Sequence, residues 1–282
     1  MSNVTIITDS SANIPQELIV DLPVEVVPLT LTWDGATYRD GIDIQPEEFY
    51  ARLRTSNTLP VTSQVNASTY IDMYKRLLDR GDSILVLPIS SGISGTIYSA
   101  IQAKESFPDA PIQILDTRLV SMALTFQVLT VARAAKQGAS LAECKDLAEE
   151  AYKHIGVYFV VDTLKYLHAG GRIGGAQRLM GTALKIKPIL MIKDGKIDAV
   201  KSVITMRKAV SSMIDLVEAG IDGRKPVRIS VFHAGVHDAA VELLDRVNKR
   251  FEPVESILSH VSPVVGSHVG PGTMSIAYMA GM

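Results

Sequence analysis

The chain has 282 residues, 47% of them hydrophobic, which is enough to fill a sizeable core and suits two domains. With 28 Lys and Arg against 30 Asp and Glu, its formal charge of −2 gives no global attraction to nucleic acid or to an anionic membrane. One cysteine, Cys144, excludes an internal disulfide and a Cys-rich metal site; with no signal-like N-terminus and no apolar run of membrane-spanning length, a soluble cytoplasmic protein is expected.

In chain order, VTIIT at 4–8 reads as a first strand ending in the turn TDSS at 8–11. VEVVPLTLTWDGATYRDGIDI at 24–44 alternates around Asp34-Gly35, a hairpin signal, and Pro46 opens a helix through about Leu53. Amphipathic stretches at 66–80, 95–106 and 121–137 are interleaved with the apolar runs SILVLPI at 83–89 and IQIL at 112–115, the pattern of β-α-β units and a mostly parallel sheet. After a polar helix at 140–154 the pattern changes. A strand at 156–162, a helix near 175–184, a hairpin around Asp194-Gly195, a helix at 206–219, a strand at 227–234, a helix at 237–250, a strand at 253–260 and a terminal helix from about 273 predict a mixed sheet. The expected fold is therefore α/β in two domains. Residues 1–154 form a mostly parallel domain with a small β excursion, and residues 155–282 form a mixed α+β domain.

Five hydroxyl-rich or glycine-rich turns stand out: TDSS at 8–11, TSQ at 62–64, SSGISGT at 90–96, GGRIGG at 170–175 and GSHVGPGT at 266–273. Each is read as the end of a strand and the start of a helix, where free N–H groups and the helix dipole favour an anion. No P-loop lysine and no G-x-G-x-x-G after the first strand accompany them, so a nucleotide is disfavoured and a bound acid is favoured. Thr62 and Ser63 fit helix capping or a head-group contact. Ser94 lies outside a G-x-S-x-G elbow, and His268 lies among glycines that suit display of its imidazole. Arg172 fits a clamp on a ligand acid, a partner contact or a solvated loop position. Asp9, Ser10 and Ser11 fit a supporting role behind the site or an N-cap. His154, His168 and His260 read as singletons, and His233 with His237 as a poor helical metal pair because Gly235 intervenes; no metal site is predicted. Ile93, Ile97, Leu164, Leu167, Met180 and Leu184 flank the glycine-rich turns on apolar faces and are candidates for an apolar pocket, with core packing as the alternative.

Taken together, TDSS, VPLTLTWDG at 27–35, DGIDI at 40–44, TSQ, LPISSGISGT at 87–96, DTLKYLHAGGRIGG at 162–175, LKIKPIL at 184–190 and HVGPG at 268–272 resemble the DegV family of bacterial fatty-acid-binding proteins over nearly the whole chain. The resemblance implies an apolar tunnel between or beside the two domains that encloses a long-chain fatty acid such as palmitate. It places the carboxylate on Thr62 and Ser94 with His268 close by, supported by Ser63, Gly95 and Gly270. It further implies a protein that is not itself an enzyme and has no cofactor. Such a protein presents its acid to a separate fatty-acid kinase catalytic subunit for acyl-phosphate formation and phospholipid synthesis, with transient membrane-surface contact and no nucleic acid. Val65 stands where the family often has Pro, and Ile204-Thr205 where an Arg-Thr pair is frequent, leaving Arg207 and Arg172 as candidate partner contacts. The competing expectation is a serine hydrolase or acyltransferase using Ser94 and His268; a third is an interaction protein that holds lipid incidentally.

Overall fold

A computed structural model describes residues 3–181 and 186–282. The first half comprises β1 (Val4–Asp9), β2 (Val24–Val27), β3 (Thr30–Trp33), β4 (Ala36–Arg39), α1 (Pro46–Thr55), β5 (Val61–Ser63), α2 (Ala67–Asp79), β6 (Ser83–Val86), α3 (Thr96–Lys104), β7 (Ile112–Ile114), α4 (Ser121–Lys136) and α5 (Leu141–Tyr152). The second comprises β8 (Ile155–Val160), α6 (Lys165–Ala169), β9 (Lys187–Lys193), β10 (Lys196–Val203), α7 (Met206–Ile221), β11 (Val227–His233), α8 (His237–Phe251), β12 (Glu255–His260), α9 (Pro263–Val269) and β13 (Met274–Ala280).

Among the described residues these strands form three sheets. An all-parallel sheet has the order β2-β1-β6-β7, the β excursion forms an antiparallel sheet β4-β3-β5, and a mixed sheet has the order β10-β9-β8-β13-β11-β12. In the mixed sheet only β11 and β12 run parallel. Its strands all come from residues after 154. Both Asp-Gly hairpins close as their sequences require, with Asp34 and Gly35 at φ +50° and +83° and Asp194 and Gly195 at +48° and +77°. That double positive φ gives the turn a twist matching the strands it joins.

Two expectations are corrected. The terminal helix is a strand: Met274-Ser-Ile-Ala-Tyr-Met-Ala280 is buried at every position and pairs with β8 on one side and β11 on the other. A strand covered on both faces is apolar throughout and lacks the period that separates strand from helix. The helix expected near 175–184 is instead a 3-10 helix at Gly174–Leu179, while residues 182–185 lie outside the described ones. Gly174 sits at φ +51° with its backbone against Ile197 O, which interrupts any α-helical continuation from Ile173.

α4 explains how the halves meet. Twelve of its sixteen residues are buried, and it packs on β1 of the parallel sheet and on β8 and β13 of the mixed sheet. One apolar core consequently runs from Val4 and Ile6 through Met122 and Phe126 to Ala277 and Met279. A second core lies on the far face of the mixed sheet, beneath α7 and α8. No helix among the described residues is long and apolar enough to cross a membrane.

The central place of β13 makes a prediction. A chain ending at Thr273 should lose cooperative unfolding of the second half in a urea titration followed by circular dichroism. Retention of the full transition would mean that this segment is peripheral.

Candidate functional site

Between the turns of the first half and one face of the mixed sheet lies a cavity of about 350 Å³. This is within the range of roughly 300–1,000 Å³ that small-molecule sites occupy. The sheet supplies the apolar floor. Strand pairing aligns Phe159 with Ser275 and Ser275 with Phe232, and places Ile192 opposite Ile197, so five strands line one face, four of them with apolar side chains and β13 with Ser275. Val157 lies on that face two residues before Phe159, as the strand period of two requires. α9 covers it with Val264, Val265, His268 and Val269.

α9 is built by signals hidden among glycines. Ser262 is its N-cap and accepts from Val265 N at 3.4 Å, Pro263 occupies the first turn, and Gly270 ends it at φ +77°. The GSHVGPGT turn thus ends a helix and begins a strand, the reverse of the expected order. His268 falls in the last turn of α9, half-buried in the cavity wall. Its ring packs against the bare α-carbon of Gly170, where a Cβ would stand 2.1 Å from Nδ1.

Thr62 lies on β5, and its Oγ1 is 2.8 Å from His268 Nε2. Neither Thr62 nor Ser63 caps α2, because that N-cap is Asn66 and makes no side-chain cap bond. The capping alternative is thereby set aside. Ser94 also lines the cavity, just before α3, with Oγ 2.9 Å from Thr96 Oγ1. Ser63 and Gly95 line it too, and Gly95 makes room for Gln64, whose Nε2 donates to Ser99 Oγ at 2.9 Å.

The turns differ in what they leave free. Asp9 accepts from Ile89 N at 2.7 Å and from Ser11 N at 3.0 Å, so the TDSS turn is satisfied by its own carboxylate and anchors the loop after β6. Burial raises the pKa of Asp9. Ser90 Oγ donates to Gly195 O at 2.7 Å, and Ser91 bonds to Asp116, leaving Ser94 as the hydroxyl of this turn that faces the cavity. Arg172 lines the cavity and is held in place by donating from Nε to Ile93 O at 3.1 Å and from Nη1 to Gly170 O at 2.7 Å.

Of the apolar candidates, Ile93 lines the cavity. Ile97, Leu164 and Leu167 are buried outside its lining, Met180 is 41% exposed, and Leu184 lies outside the described residues. Gly270 accommodates the Tyr166 ring and does not line the cavity, and Arg207 is exposed on the first turn of α7. Sequence reasoning missed the strand residues, whose lining role follows from register, and Ser121. Ser121 opens α4 at φ +54°, and its buried Oγ lines the cavity without a hydrogen-bond partner among the described residues. A non-glycine residue in that backbone region was not signalled by its neighbours. His260, read as a singleton, instead lies beside His233, because β11 and β12 pair the two residues and their rings meet that of His237.

Comparison with known proteins assigns the family. A family model described as "Uncharacterised protein, DegV family" matches residues 3–281. The chain belongs to the DegV family. A DegV domain-containing protein of Clostridium acetobutylicum is 37% identical over 279 residues, covering 98% of this chain and 97% of that protein. The structure of a DegV family protein from Thermus thermophilus, reported for its fatty acid binding, matches with a TM-score of 0.93 at 34% identity over 99% of each chain. DegV of Bacillus subtilis, described as a fatty acid binding protein, matches with a TM-score of 0.90 at 31% identity over 99% of this chain and all of the other. The two-domain α/β architecture expected from the sequence is that of these DegV structures.

In this DegV-family protein, burial and then the Arg172 charge lower the pKa of His268 to about 4. An unfolded histidine titrates near 6.5, so the unfolded chain binds more protons between these values, and the stability from a neutral His268 is lost as pH falls from about 6.5 towards 4. Asp40 acts oppositely, since burial raises its pKa to about 6 and its penalty grows as pH rises through that value. The difference between parent and His268→Gln therefore isolates the imidazole. Urea midpoints measured from pH 7 to 4.5 should fall more steeply for the parent than for the variant, whereas parallel curves would remove His268 as the titrating group.

Proposed function

We propose that the cavity binds one long-chain fatty acid, with its carboxylate at Thr62 and Ser94 and its acyl chain on the apolar face of the mixed sheet. The observation that carries this reading is the pairing of Thr62 with His268 at the polar end of a cavity otherwise dominated by Val, Ile and Phe. With Nε2–H donating to Thr62 Oγ1, the threonine hydroxyl is free to donate to a carboxylate oxygen. Ser94 supplies a second hydroxyl, and Arg172 adds positive charge at the same wall. Burying a carboxylate without such partners is prohibitive. The tail gains about 0.8 kcal/mol for each CH₂ removed from water. In the solved DegV structures that share roughly a third of this sequence, fatty acid binding is the described property.

The carrier reading is favoured over the hydrolase or acyltransferase. Ser94 Oγ is hydrogen-bonded to Thr96 Oγ1 rather than to His268, and His268 Nδ1 has no hydrogen-bond partner among the described residues to orient it as a base. Under the same proposal, the intact acid passes to a separate fatty-acid kinase. Val61, Tyr98 and Ile101 are exposed apolar side chains on β5 and α3, the elements beside Thr62 and Ser94, and they offer a surface for a membrane or kinase contact. Arg207 on α7 is a second contact candidate.

Replacing either hydroxyl tests the head-group assignment. Each hydrogen bond to a charged acid is worth about 1.5–3 kcal/mol, so Thr62→Val and Ser94→Ala should each weaken palmitate binding by roughly tenfold or more in calorimetry. Both variants should fold normally. Unchanged affinity in the double variant would sink the assignment, and an acyl-enzyme trapped on Ser94 would favour the enzyme.

Chain length tests the tail. The additional methylenes of palmitate over octanoate are worth up to about 6 kcal/mol if all are buried, so palmitate should bind far more tightly. Equal affinities for the two acids would contradict an enclosed acyl site.

A further inference from the structure

Outside the cavity, the C-terminal ends of β11 and β12 bring together three histidines that the proposed function leaves unused. His233 is the last residue of β11 and His260 the last of β12, and the parallel register sets them side by side with ring centroids 4.5 Å apart. His237 opens α8 after a three-residue turn, and its ring centroid is 5.5 Å from that of His233 and 6.4 Å from that of His260. One ring nitrogen from each lies within 4.8 Å of the other two. Three imidazole nitrogens so placed can share one ion with small side-chain adjustments.

A second observation points to the same place. His233 is only 1% exposed, and its Nε2 has no hydrogen-bond partner among the described residues. Its Nδ1 receives a long hydrogen bond from Val236 N at 3.3 Å. Nδ1 as acceptor puts the ring proton on Nε2, a buried donor without an acceptor, which is costly. A metal ion at Nε2 would turn the unsatisfied atom into a ligand; the ring proton would then lie on Nδ1, so the Val236 N–H and Nδ1 must separate from their present 3.3 Å. Glu47, reaching in from α1, has Oε1 3.3 Å from His260 Nε2, and Arg54 donates to Gly235 O in the turn that leads to His237. The site is thus framed by three imidazoles, one carboxylate and one guanidinium.

We propose that His233, His237 and His260 bind a divalent transition-metal ion of the Zn²⁺ class. Imidazole nitrogens suit borderline ions, and three of them with a water in the fourth position make a tetrahedral set. Ca²⁺ and Mg²⁺, which require mainly oxygen ligands, do not match it. The bound ion fastens the ends of β11 and β12 to the start of α8. Phe232 and Val261, the residues adjoining His233 and His260, line the lipid cavity, so the ion also braces that wall.

The test uses the full-length chain without a histidine tag, stripped with a chelator and titrated with Zn²⁺ by calorimetry and with Co²⁺ by visible absorption. One equivalent should bind, Co²⁺ should show the intense bands of a tetrahedral complex, and Zn²⁺ should raise the melting temperature. His237→Ala alters an exposed side chain and should fold normally. It and His260→Ala should each weaken Zn²⁺ binding by at least about tenfold, as disturbing even the surroundings of metal ligands commonly does. Failure to bind one equivalent, or undiminished binding in either variant, would overturn the site and leave an adventitious ion only.

Discussion

The hydrogen bond between Thr62 Oγ1 and His268 Nε2 joins residues 206 positions apart and sets the polar end of the cavity. The antiparallel excursion carries Thr62 on β5, α9 presents His268 from its last turn, and the bare α-carbon of Gly170 leaves room for the imidazole. Arg172, held by the carbonyls of Ile93 and Gly170, keeps a positive charge beside the neutral ring. In water such polar groups would be solvated individually. Collected in the wall of a largely apolar cavity, they are the groups that, under the proposed function, replace the solvation an acid loses on entry.

The cavity survives because the two sheets do not pack directly on each other where it lies. α4 lies between them, touching β1 on one side and β8 and β13 on the other, and Val120 and Ser121 at its N-terminus line the cavity wall. The same helix that unites the core thus also spaces the sheets. Two satisfied turns stiffen this region. Asp9 bonds to Ile89 N, and Ser90 Oγ bonds across to Gly195 O in the second hairpin, so the loop carrying Ser94 is tied to both halves.

Local rules made much of the fold legible. The Asp34-Gly35 and Asp194-Gly195 hairpins and the amphipathic helices could be read from residues near one another in sequence, as could the alternation that builds the parallel sheet. β13 was obscured because burial on both faces removes the period by which a strand is recognised. α9 was obscured by attention to its glycines, although Ser262 followed by Pro263 is a helix-start signal. At the site, Thr62, Ser94 and His268 were legible as chemistry-bearing residues from their own turns, but only the family resemblance put them together, since no local pattern encodes the Thr62–His268 contact across 206 positions. The apolar lining was assigned to helix residues such as Leu164 and Leu167, whereas Val157, Phe159, Ile192, Ile197 and Phe232 form it through strand register. Register also joins His260 to His233, which spacing alone had left apart.

The central claim is that this cavity carries an intact fatty acid rather than processing one. Native mass spectrometry of the untagged protein purified from cells, followed by denaturation and identification of the released lipid, tests it most directly. The account predicts one non-covalent mass increment per chain, released as a free long-chain fatty acid that leaves the polypeptide at its unmodified mass. A chain recovered without any bound lipid, or one that retains a covalent acyl group after denaturation, would contradict it.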